Sequence, residues 1–183
     1  MLKHPRCVAL GEIGLDAFHA QSLEDQDRQL DALHALCKVA ASTPKPVVFH
    51  CRAEGEVDPF DSLLQVAKQY LPGNKKVHFH CFSGSYMQAL RWLHRFPNTK
   101  FGFTGMVTKD PSLLKVAGQL GITYLLLETD APYLLPAGCV GPNHPWNLVY
   151  VAEALAGELK CSLAEVLRVT RLSSYELYGL PWP

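Results

Sequence analysis

Hydrophobic and polar positions along the chain follow two alternating periods. Short apolar runs near 8–12, 47–50, 76–82, 99–107 and 123–129 have the length and the β-branched or aromatic content of buried strands. Between them the apolar residues recur at helical spacing. From 22 to 41 these are Leu30, Leu33, Leu36, Cys37 and Ala40, and Ser22 with Asp25 three residues on has the form of a capping box. Asp58-Pro59 and Asp110-Pro111 each place a capping side chain before a proline at the first helical turn. Those helices are expected to stop at Leu71-Pro72-Gly73 and at Gly121. A further helix is predicted over 85–96, and two more after a long Pro/Gly loop, the last opened by Ser162 and Glu165. Five strands alternating with helices predict βαβ units and a parallel sheet.

In parallel α/β folds the C-terminal strand ends carry the chemistry. Four such ends carry metal-ligand side chains: Glu12, His50, His80 and Asp130. Two imidazoles and two carboxylates converging at one mouth suit a divalent cation. Each taken singly has a plain structural role, a hydrogen-bonded core histidine or a turn-capping acid. His78 shares a face with His80 and reads as an interior, hydrogen-bonded histidine one layer deeper. Glu128, two residues before Asp130, is expected on the same face, supporting a ligand by hydrogen bonding and not binding metal itself.

The cysteines after His50 and His80 fit no zinc-finger spacing, and strand alternation turns Cys51 and Cys81 toward the covering helices as small buried apolar residues. Arg52 suggests a phosphate contact, or else a surface ion pair. Ser83, Gly84 and Ser85 precede a helix N-terminus, where backbone N–H groups accept an anion or a serine merely caps. In the longest loop, His144 reads as either a substrate contact or a solvated side chain. Trp146 reads as a core anchor for the next helix ahead of a base-stacking surface.

Composition narrows the field. Seventeen basic and seventeen acidic residues cancel in 183, so a polyanion has to be gripped locally and not by a general field. No apolar stretch is long enough to span a bilayer, and the first residues lack the apolar core of a signal peptide. Six cysteines without a C-x-x-C are then expected as reduced thiols of a cytoplasmic or nuclear protein.

The motifs GEIGLD (11–16), VFHCR (48–52), FHCFSG (79–84), FGFTG (101–105) and LETDAPYL (127–134) closely resemble, in order, the strand-end motifs of the TatD-type metal-dependent deoxyribonucleases. The resemblance implies a TIM-barrel type (β/α)8 fold of the amidohydrolase superfamily and hydrolysis of phosphodiester bonds in DNA with one or two divalent cations (Mg, Mn or Zn). It makes Glu12 similar to a glutamate bridging two metals, and His50 and His80 similar to histidine ligands. Asp130 becomes similar to the aspartate that binds the other metal and handles the proton of the attacking water, with Arg52, Ser83 and Gly84 on the substrate side. The family's His-x-His pair on the first barrel strand is not found ahead of Glu12. With about five strands against eight, residues 1–183 are expected to be the C-terminal portion of a single barrel domain, prone to self-associate through open edges. An amidohydrolase acting on a C–N bond and a non-catalytic relative are the alternative readings.

Overall fold

The computed structural model describes residues 2–20 and 22–181. Five strands, β1 (Leu10–Asp16), β2 (Val47–Arg52), β3 (Val77–Phe79), β4 (Thr99–Phe103) and β5 (Leu125–Leu127), form one parallel sheet in sequential order. Helices α1 (Leu23–Ala41), α2 (Phe60–Tyr70), α3 (Tyr86–Arg95) and α4 (Pro111–Leu120) make the crossovers. Helices α5 (Leu148–Leu159) and α6 (Leu163–Tyr178) follow the last strand. Sequential order is the TIM-barrel arrangement, here with β1 and β5 as the sheet edges among the described residues.

The capping side chains sit where the sequence places them. Ser22 accepts from the Asp25 backbone N–H, Asp110 from those of Ser112 and Leu113, and Ser162 from that of Glu165. Ser85 and Gln88 close a reciprocal box at the start of α3. Asp58 is displaced by one residue from the expected pattern: Pro59 is the cap, and the Asp58 carboxylate accepts from Phe60.

Strand register sorts the side chains onto two faces. Ile13, Phe49, Phe79, Phe101 and Leu125 align across the sheet on the face that α1–α4 cover. There Phe49, Phe79 and Phe101, all fully buried, pack with Trp92 of α3, Phe60 of α2 and Phe82. Period-two alternation therefore turns Gly14, His50, His78 and Gly102 to the opposite face. Polar chemistry is confined to one side of the sheet because the other is filled with rings.

Four strands depart from expectation; the fourth, expected over 99–107, ends at Phe103, and Gly105–Thr108 form a 3₁₀ turn. The first does not end at Glu12. Pairing slips between Leu10 and Ile13, a bulge with an extra residue in β1, and the strand runs on to Asp16. The third stops at Phe79, so His80 and Cys81 leave the alternation. Cys81 adopts φ 45° and is half-buried, not the inward-packed apolar residue expected. The fifth ends at Leu127, three residues short of Asp130. Cys51 stays in its strand and is buried as expected, with burial pushing its thiol pKa up.

Lys75 is 5% exposed, and its ammonium donates to the carbonyls of Ala40 (2.7 Å) and Thr43 (2.5 Å) where α1 ends. A cation there meets the negative end of the helix dipole and two carbonyls that lack helical partners. Lys75→Met is expected to cost about 1–3 kcal/mol by leaving the Thr43 carbonyl without its donor, the Ala40 carbonyl keeping a backbone N–H from Thr43. Urea denaturation should show a lower midpoint at unchanged slope.

Candidate metal centre

Three of the four site side chains are carried by breaks in the sheet, and the fourth, His50, by a regular strand. Glu12 lies in the β1 bulge, its carboxylate half exposed, while His50 sits in β2 on the polar face. His80 directly follows β3, and its N–H donates to the Phe49 carbonyl of the neighbouring strand. Asp130 lies on the loop after β5 in the left-handed region, at φ 52°. An aspartate tolerates that conformation better than most side chains.

The four converge. Glu12 Oε2 lies 3.3 Å from His80 Nε2 and 4.0 Å from His50 Nδ1, and Asp130 Oδ1 lies 3.6 Å from His80 Nε2. One ligand atom from each of Glu12, His50 and His80 falls within 4.8 Å of the other two. The far nitrogen of each imidazole is already committed. His80 Nδ1 bonds Glu128 Oε1 at 2.8 Å, and His50 Nε2 bonds Asp16 Oδ2 at 3.1 Å. That fixes each ring's tautomer and turns the free nitrogen, Nε2 of His80 and Nδ1 of His50, toward Glu12. His50 Nδ1 is buried and has no hydrogen-bond partner among the described residues. Two oriented imidazoles, one of them with an orphaned buried nitrogen, and a carboxylate fit a divalent cation.

Glu128 is the deeper support. Its Oε2 accepts from the Cys81 backbone N–H at 2.7 Å, and its Oε1 also lies 3.0 Å from His78 Nε2. His78 is buried and shares a 2.5 Å hydrogen bond with the Tyr178 hydroxyl at the end of α6, the interior role expected of it. Burial alone pushes the Glu128 pKa up, but the His78 and His80 rings outweigh it and hold the carboxyl at about 2. Burial likewise works to lower the His80 pKa, and the bond to Glu128 with the charges of Glu128, Glu12 and Asp130 turns the shift upward. Asp130 is raised, by burial first and then by the charges of Glu12 and Glu128. Cys81 also lies near His80 and Glu128, but burial and the surrounding acids push its thiol pKa far up, which makes it a poor ligand.

His50, Arg52, His80, Ser83 and Asp130 line one cleft of about 400 Å³. Among the described residues Arg52 forms no ion pair; its exposed guanidinium lies 4.0 Å over the Phe18 ring. Gly84 is buried, and a Cβ there would come within 2.9 Å of Phe60 and Phe82 ring atoms. The N–H of Ser85 is taken by Gln88 at 2.6 Å. A larger hollow of about 820 Å³ lies at the opposite strand ends, but two of its lysines are spent on carbonyls, Lys45 on His4 and Cys7 and Lys76 on Glu176.

Trp146 is not the core anchor expected: it is 71% exposed and stacks on His144, with ring centroids 4.1 Å apart. The buried anchors are its neighbours Asn143 and Asn147. Asn143 Nδ2 donates to the carbonyls of Thr129 (2.8 Å) and Tyr133 (2.6 Å), clasping the turn that carries Asp130. Asn147 donates in turn to Asn143 Oδ1. Three more supports were not singled out from sequence. Asp16 orients His50, and Gln29 of α1 holds the Asp16 backbone through both its N–H and its carbonyl. Gly102 leaves the space that Glu128 fills, since a Cβ there would lie 1.9 Å from Glu128 Oε2 and 2.8 Å from His78 Nε2. A glycine inside a strand is the sequence signal for such a close approach.

A sequential parallel sheet with this cluster at the C-terminal end of its strands defines a TIM-barrel-type chain with a candidate metal centre. The sequence profile of the TatD related DNase family matches residues 1–179, and the chain belongs to that family. It is 31% identical to the human 3'-5' RNA nuclease TATDN2 over 98% of its length, covering 24% of that protein. It is 31% identical to the 3'-5' ssDNA/RNA exonuclease TatD of Erwinia billingiae over 99% of its length, covering 69% of that enzyme. Among solved structures, the TatD homologue YjjV of Escherichia coli superposes with a TM-score of 0.80 at 31% identity. That match covers 94% of this chain and 64% of the other.

Gly102→Ala is expected to displace Glu128 and so weaken metal binding about 10–100-fold, the usual cost of losing a group that orients a ligand. Calorimetric titration with Mn²⁺ or Zn²⁺, with circular dichroism confirming the fold, checks it. Affinity equal to the parent's would remove Glu128 from any supporting role.

Proposed function

We propose that residues 1–183 act as one TatD-type hydrolase domain that cleaves phosphodiester bonds in DNA. The observation that carries this is the pair of imidazoles, each fixed by a carboxylate so that its free nitrogen meets Glu12. The matched relatives named as nucleases support a nucleic acid as substrate.

Glu12, His50 and His80 are assigned to hold a divalent cation (Mg, Mn or Zn), with Asp130 beside them. Imidazole ligands favour Zn²⁺ or Mn²⁺ on softness. The cation supplies Lewis acidity toward the phosphoryl oxygen and a lowered pKa for bound water. With a cation held there, Asp130 would be the residue placed to take the proton of an attacking water. Its pKa is shifted upward by burial and by the neighbouring Glu12 and Glu128 charges, which makes it a stronger base than an ordinary aspartate. Arg52, its guanidinium carbon 4.0 Å over the Phe18 ring, is assigned to a phosphate oxygen, and Ser83 lines the same cleft. Gly84 serves by letting the turn close against the phenylalanine core.

Purified protein should bind about one Zn²⁺ or Mn²⁺ per chain, and His80→Ala should lose it. On an end-labelled DNA strand with added Mg²⁺, Mn²⁺ or Zn²⁺, Asp130→Asn should slow cleavage about 10²–10⁴-fold, the range of a general base. Cleavage that this substitution leaves untouched would overturn the assignment.

A further inference from the structure

We infer that Trp146, backed by His144, is a stacking platform for an unpaired nucleobase of a single-stranded nucleic acid held in the cleft. This rests on the nuclease reading above and adds to it the residue that selects single strands. The Trp146 indole is 71% exposed, so the ring face away from His144 is open to a ligand. It is not on a loose loop. Residues Pro145–Asn147 form a 3₁₀ turn at the start of α5, and Asn143 and Asn147 on either side are buried and bonded to each other. His144 lies nearly parallel to the indole, at 15°, so one face is backed by the imidazole. A rigid, exposed aromatic with a pre-set orientation loses little entropy on binding.

The platform is also tied to the reacting centre. Asn143 holds the carbonyls of Thr129 and Tyr133, which bracket Asp130, and Trp146 follows three residues later, a reach of no more than about 11 Å. Bases in a duplex have their faces stacked on their neighbours, so a platform of this kind engages only unpaired ones. Net charge points the same way. With acids and bases balanced, the chain has no general field to hold a polyanion, and a sequence-tolerant grip has to come from discrete contacts such as stacking.

The test uses fluorescence anisotropy of a labelled single-stranded oligothymidylate and of an abasic strand of equal length, with EDTA present so that nothing is cleaved. The parent protein should prefer the base-bearing strand. Trp146→Ala should weaken its binding about tenfold or more while leaving the abasic strand unaffected, and Trp146→Phe should keep most of the preference. A Mn²⁺ isotherm unchanged in Trp146→Ala shows that the fold and the metal centre are intact. Equal binding of both strands by the parent, or a Trp146→Ala protein that binds as the parent does, would overturn the platform while metal-dependent cleavage kept the nuclease reading. A parent that neither binds nor cleaves the strand would overturn both.

Discussion

The buried carboxylate of Glu128 is the contact on which the site depends. Removing a carboxylate from water is expensive unless hydrogen bonds replace the lost hydration. Glu128 meets that demand with hydrogen bonds to the His80 ring and from the Cys81 N–H, with the His78 ring 3.0 Å away beside it, and its carboxyl is held at a pKa of about 2. Each partner is constrained in return. The His80 tautomer is set, the chain reverses at Cys81, and His78 is braced against Tyr178 at the end of α6. None of this fits unless β4 carries a glycine at 102.

The sheet supplies rigidity and its irregularities supply aim. A regular β1 would alternate its side chains with no freedom to place Glu12, and the bulge between Leu10 and Ile13 resets that register before Asp16 arrives to hold His50. Asp130 comes from the loop after β5, where the Asn143 clasp substitutes for strand pairing. Both histidines thus obey one rule, with a carboxylate behind and a free nitrogen in front, although Asp16 and Glu128 come from opposite edges of the sheet.

Much of this was legible in the chain itself. Capping residues and two periods predict the alternating order of elements, because those signals are local. Glu12, His50, His80 and Asp130 stand out as charged or metal-binding types beside apolar runs, and the spacing of Glu128 from Asp130 suggests a supporting acid. The tertiary structure decided the rest. Asp16, Gln29 and Asn143 are ordinary polar residues in sequence, and their roles exist only through partners 10 to 34 positions away. Trp146 looks like a core residue by type, yet the core is already filled by Phe49, Phe79, Phe101 and Trp92, and the loop that carries it is anchored by two asparagines instead. Hydrophobic type predicts burial only on average; which aromatic goes inside is settled by the volume the other elements leave.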